Sequence, residues 1–166
     1  MVRCQLESLI LLVLVPLASS AFGQDTTNQI HSDQRQIERK KKIVIVAGLK
    51  SHGPEGNGIH DYAWSARFLK TALEHSNIRE SIHVVTHLSG WPSDKAAMRD
   101  AAAIMVLSDG RDGSKGREAL HLATPERIEQ VDSLAAAGTG IIAFHFSTFA
   151  PDELSDRVLD WYGGYF

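Results

Sequence analysis

The stretch Gly138-Thr139-Gly140-Ile141-Ile142-Ala143-Phe144-His145-Phe146-Ser147-Thr148, "GTGIIAFHFST", is an apolar run that stops on a histidine and continues into small hydroxyl residues. A short β-branched run of this kind, too brief for a helix and bounded by glycine, reads as a strand buried on both faces, as in parallel sheets. On its N-terminal side, Thr124-Pro125-Glu126 supplies an N-cap, a proline suited to the first helical position and an acid in the first turn. These residues open a helix that Gly138 should end. On its C-terminal side, "APDELSDRVLDWYGGYF" begins another helix near Pro151 that breaks at Gly163-Gly164. The unit is therefore helix, buried strand, helix, with an imidazole where the strand stops.

The same alternation extends toward the N-terminus. "KIVIVAG" (Lys42 to Gly48) is a first buried strand closed by glycine, and "LKSHGPEGNGIHD" follows as a loop. Tyr62 to His75 should form an amphipathic helix, with Ala63, Phe68, Leu69, Ala72 and Leu73 brought together at helical spacing to cover the sheet. "SIHVVTHL" (Ser81 to Leu88) is a second strand, and Ser93 is positioned to cap a short helix running to Asp100. "AAIMVLSDG" (Ala102 to Gly110) is a third strand. Strands alternating with helices at this spacing predict right-handed crossovers and an α/β fold: a flavodoxin-like three-layer sandwich with a mostly parallel sheet.

Upstream of the sheet the composition changes. Met1-Val2-Arg3 is a short basic start, "LILLVLVPLA" (Leu9 to Ala18) is an apolar run too short to span a bilayer, and Ala21-Phe22-Gly23 offers small residues for cleavage. Residues 1–23 therefore read as a signal peptide, 24–41 as a flexible polar linker and 42–166 as the folded domain. This order implies a secreted or periplasmic protein with no stable membrane anchor after cleavage. The single cysteine, Cys4, precedes the apolar run, so the mature chain has no disulfide, thiolate metal site or cysteine nucleophile. A formal net charge of −3 gives no reason to expect a nucleic-acid partner.

In open α/β sheets ligands sit at the carboxyl ends of the strands, which directs attention to the residues that follow each one. These are Lys50 to Gly53 with His60 and Asp61, then His87 to Trp91, then Ser108 to Gly110, and finally His145 with Ser147 and Thr148. His145, His52 and Asp109 are the candidate catalytic residues: either imidazole is suited to general acid/base work, with Asp109 or Asp61 orienting it. His60, Asp61, Trp91 and Ser147 are the candidate ligand-binding residues, Trp91 because an indole stacks on the C–H face of a sugar. Ser147 lacks the G-x-S-x-G setting of a nucleophile elbow. His52 and His60, eight residues apart in a glycine-containing loop, can converge on a divalent metal with Asp61 as orienting group or ligand. "GPEGNG" (Gly53 to Gly58) lacks both the dinucleotide and the P-loop pattern.

Taken together, "KIVIVAGLKSHGPEGNGIHDY", "GWPSD", "LSDG", "GTGIIAFHFST" and "LDWYGGYF" resemble the ThuA-like (trehalose-utilisation) family, over about Lys42 to Phe166. The resemblance implies a class I glutamine amidotransferase-like, flavodoxin-like fold and an association with carbohydrate metabolism. It places His52, His60, Asp109 and His145 at motif positions. At the elbow, where true amidotransferases hold a cysteine, this chain has none, so glutamine hydrolysis is not implied. Family members continue beyond the W-x-G-G-Y motif, whereas this chain stops at Phe166. That difference implies a domain incomplete at its C-terminus, with an open sheet edge and a homodimer as one way to cover it. The loop Arg111 to His121 is more charged than the resemblance leads one to expect. The expected ligand is a small-molecule carbohydrate. The alternatives are a non-catalytic sugar-binding or interaction module and a metal-dependent hydrolase.

Overall fold

A computed structural model describes residues 40–54, 56–110 and 119–165. The leader, most of the linker, the charged loop 111–118 and Phe166 lie outside the described residues. Four strands, β1 (Lys41–Ala47), β2 (Ile82–His87), β3 (Ala101–Leu107) and β4 (Gly140–Phe144), form one all-parallel sheet in the order β2-β1-β3-β4. Three α-helices pack on it: α1 (Tyr62–Glu74), α2 (Pro125–Ala136) and α3 (Ser155–Tyr162). The protein is an α/β three-layer sandwich with the flavodoxin-like strand order.

Strands β1 and β3 are apolar on both faces because both faces are covered, whereas β4, expected to be buried on both, buries Ile141 on one face and leaves Ile142 39% exposed on the other, since α1 packs over β2, β1 and β3. Val44 and Val46 of β1 point to one side, joining Ile104, Val106 and Ile141 beneath Val131 of α2 and Val158 and Trp161 of α3. Their neighbours Ile45 and Ala47 point to the other side, joining Ile82, Val84, Met105 and Leu107 beneath Tyr62 and Ala66 of α1. This two-per-repeat alternation explains why the sequence shows a continuous apolar run where a half-exposed strand would alternate.

The helices differ from expectation in detail. The buried stripe of α1 runs through Tyr62 and Ala66 with Leu69 and Leu73 beside them. Phe68 and Ala72 are exposed, and Phe68, at 58% exposure, stacks instead on Trp64 one turn earlier with ring centroids 5.7 Å apart. Steps of 100° per residue align positions 62, 66, 69 and 73, and they carry 64 and 68 away from that stripe. Between β2 and β3 the chain makes only a 3₁₀ turn, Lys95–Met98, capped by Asp94 in place of Ser93; the Ala96 N–H donates to Asp94 Oδ1 at 2.8 Å. Thr124 caps α2 as expected, accepting from the Arg127 N–H, and Gly138 takes the left-handed φ of +90° that ends it. At α3, a 3₁₀ turn over Asp152–Leu154 precedes the helix, and Gly163 terminates it at φ +72°. No helix among the described residues is long and apolar enough to cross a membrane.

Candidate functional site at the switch point

In the β2-β1-β3-β4 order, β1 and β3 are neighbours whose following helices lie on opposite faces of the sheet. The loops leaving their carboxyl ends therefore diverge, and a crevice opens between them. Register places Ala47 beside Leu107 and Leu107 beside Phe144, so the segments after β1, β3 and β4 all start at one level. His52 and His60 come from the first segment, Asp109 from the second and His145 from the third.

The loop after β1 is shaped by one lysine. Lys50 Nζ donates to Asn57 Oδ1 at 2.7 Å and to the Ile59 carbonyl, and lies 3.8 Å from Asp61 Oδ2. Asp61 Oδ2 also accepts the Gly56 N–H at 2.8 Å, and Asn57 Oδ1 accepts the Ile59 N–H at 3.0 Å. These contacts fold the glycine-rich loop back on itself and turn His52 and His60 toward β3. Asp61 therefore braces the loop through Lys50 and the Gly56 N–H.

At the centre, the His60 ring and the Asp109 carboxylate are bonded, Nδ1 to Oδ1, at 2.9 Å. The Tyr62 hydroxyl, from the first residue of α1, donates to the same carboxylate oxygen. Ser51 Oγ stands between the two imidazoles, 2.7 Å from His52 Nδ1 and 3.1 Å from His60 Nδ1. Partial burial works against the charged form of Asp109. Hydrogen bonds from Ser51 and Tyr62, together with the charge and hydrogen bond of His60, outweigh it and hold the carboxyl below the ordinary carboxylate range. The ring of His145 lies 5.3 Å from that of His60, and Phe146 packs against both, at 4.7 Å from His60 and 4.5 Å from His145.

Backbone conformation singles out the same residues. Among the described residues, the non-glycine positions with left-handed φ are His60 (+47°), Asp100 (+59°) and His145 (+55°). Two of the three point into the crevice region, where strain on the order of 1–3 kcal/mol persists because the surrounding structure fixes it. His145 occupies the sharp turn between β4 and a 3₁₀ segment, His145–Thr148, which explains why the strand stops on it. Gly110 permits the close approach beneath: a Cβ there would lie 1.8 Å from the Phe146 carbonyl oxygen. Beside the histidines a groove of about 540 Å³ is lined by His60, His145, Trp64, Phe68, Leu107 and Phe144, with Tyr62 and Leu69 deeper along α1.

Two of the expected ligand-binding residues are placed elsewhere. Ser147 is fully buried; its Oγ accepts the Phe144 N–H at 2.7 Å and lies 2.8 Å from the Val106 carbonyl, so it ties the turn to β3 and cannot meet a ligand. Trp91 packs against the α2 side of the core, donates from Nε1 to Gln130 Oε1 at 3.2 Å, and has the Arg127 guanidinium over its ring. The site also includes residues that pattern reading did not select. Tyr62 has the appearance of a helix-opening core residue, and Ser51 and Phe146 differ from ordinary loop residues only by adjacency to His52 and His145.

The chain matches no protein-family model, no curated protein and no solved structure.

Proposed function

We propose that the chain is a ThuA-like domain that binds a carbohydrate or sugar derivative in the switch-point crevice and acts on it by general acid–base catalysis. The observation that carries this reading is the His60–Asp109 couple, 2.9 Å apart and backed by Tyr62 and Ser51. An ionised carboxylate on one ring nitrogen fixes the imidazole's orientation and favours its proton-accepting role toward a substrate hydroxyl or carbonyl-adjacent C–H. His145, on the other side of the His60 ring, supplies a second proton-transfer group, so one imidazole takes a proton while the other returns one. His52 completes the polar wall.

The adjoining groove suits the same ligand class. Its size falls within the range of small-molecule pockets, and its chemistry is divided: histidines meet hydroxyls at one end while Trp64 and Phe68 offer aromatic faces to sugar C–H groups. With Cys4 the only cysteine, residues 42–166 hold no thiol for amidotransferase chemistry. The leader reading places the protein outside the cytoplasm, secreted or periplasmic.

The test is thermal unfolding against a panel of mono- and disaccharides and their 3-keto derivatives, since a ligand of the folded state raises the midpoint by mass action. Any sugar that shifts the midpoint is then assayed for conversion with His60→Gln and His145→Gln. Loss of turnover by about 10²–10⁴-fold with the midpoint shift retained supports the acid–base role. Binding without conversion by the wild type leaves a sugar-binding module, and a panel in which nothing binds overturns the carbohydrate reading.

A further inference from the structure

We infer that His52, His60 and Asp109 form a binding site for one divalent first-row transition metal, with a coordination position open to the Trp64/Phe68 groove. The inference rests on the crevice reading above and refines it: His60 and Asp109 become ligands, proton transfer falls to His145, and Asp109 replaces Asp61 as the carboxylate partner of the two histidines.

The geometry is that of a ligand set near closure. Each of the three residues offers one donor atom, and these atoms all lie within 4.8 Å of one another. Tetrahedral coordination with metal–donor bonds of about 2.0–2.1 Å requires donors about 3.3 Å apart, a contraction that small side-chain rotations supply. Two imidazoles and one carboxylate make up the protein ligand sets of catalytic zinc sites and of facial-triad iron sites, which leave further positions for water or substrate. Without thiolates, hard and borderline divalent ions are the ones this set selects.

The surroundings are those of a supported site. Tyr62 donates to the Asp109 carboxylate and Ser51 bonds both imidazoles, so each ligand is oriented by a neighbour that is not itself a ligand. The three residues are separated by 8 and 49 positions in sequence and come from two loops, each half-buried. Local chain preference does not bring together residues so far apart. Asp61 is occupied with Lys50 and the Gly56 N–H, which leaves Asp109 as the carboxylate facing both rings. His145, at 5.3 Å from the His60 ring, stays available for proton transfer to or from whatever the metal holds.

The experiment titrates chelator-treated, tag-free full-length protein with Co²⁺ and follows the visible d–d absorption, then displaces it with Zn²⁺. Saturation at one equivalent is expected. His52→Gln and Asp109→Asn are each expected to weaken Co²⁺ binding by at least tenfold and together to remove the saturable band, while His83→Gln, on β2 away from the crevice, leaves it unchanged. No saturable band in the wild type, or unchanged affinity in the folded double variant, overturns the site. The sugar panel is run on the same samples with and without EDTA. A sugar shift that survives chelation in protein that binds no Co²⁺ overturns the metal site and leaves the carbohydrate reading standing. Stoichiometric Co²⁺ with no sugar shift does the reverse.

Discussion

Acidification should destabilise this protein in part through a buried histidine remote from the crevice. His121 is fully buried beneath α3, its ring 6.3 Å from Trp161 and 6.1 Å from Tyr162, and neither ring nitrogen has a hydrogen-bond partner among the described residues. Burial disfavours the imidazolium and lowers its pKa from 6.5 to about 4. The unfolded chain therefore binds a proton that the folded chain refuses throughout that interval. The contribution linked to His121 is complete above pH 6.5, falls as the pH drops, and levels off below about 4. At about 1.4 kcal/mol per pH unit, the interval amounts to about 3 kcal/mol. The assay is urea unfolding followed by circular dichroism at a series of pH values, for the wild type and His121→Leu. Taking the difference between the two removes the contribution of groups common to both. The variant should match or exceed the wild type at neutral pH, because an unsatisfied buried nitrogen costs about 1–3 kcal/mol, and its advantage should widen by about 3 kcal/mol on going to pH 4. A difference that stays flat with pH would refute the claim that His121 is held neutral in the interior.

Three further outcomes follow from the packing around the site. Gly110→Ala forces a methyl group against the Phe146 carbonyl and should cost about 1–3 kcal/mol in urea unfolding, because the atom it meets is backbone and cannot rotate away. Ser147→Ala should lose about 1–3 kcal/mol of stability with ligand affinity unchanged; a selective loss of affinity would mean that its hydroxyl reaches the crevice after all. Lys50→Met releases Asn57, Ile59 and Asp61 together, so limited proteolysis should cut faster within residues 49–61 while the melting midpoint moves little.

The sheet was legible because its signal is local. Runs such as Ile43 to Ala47 and Ile104 to Leu107 are β-branched or aliphatic without interruption, and only burial on both faces makes such a run soluble. Gly138 and Gly163 marked helix ends for an equally local reason, since each adopts a left-handed φ that other residues avoid. The buried stripe of α1 was misplaced toward Phe68 because hydrophobicity alone does not distinguish a ring facing the sheet from one stacked on Trp64 away from that stripe.

By itself the sequence determined the element order, the confinement of cysteine to position 4, and the rule that chemistry-bearing residues follow the strands. Tertiary structure decided which of those residues meet. Asp61 and Asp109 are equally plausible partners for His60 in a linear reading, being 1 and 49 positions away. The β1–β3 neighbourhood brings Asp109 to the ring, while Asp61 is engaged by Lys50 and the Gly56 N–H. Ser147, two residues from His145, is turned into the core by the same left-handed turn that exposes the histidine. Pairings of this kind depend on strand order and on where each loop's own hydrogen bonds are satisfied, and neither is written in the spacing of residues along the chain.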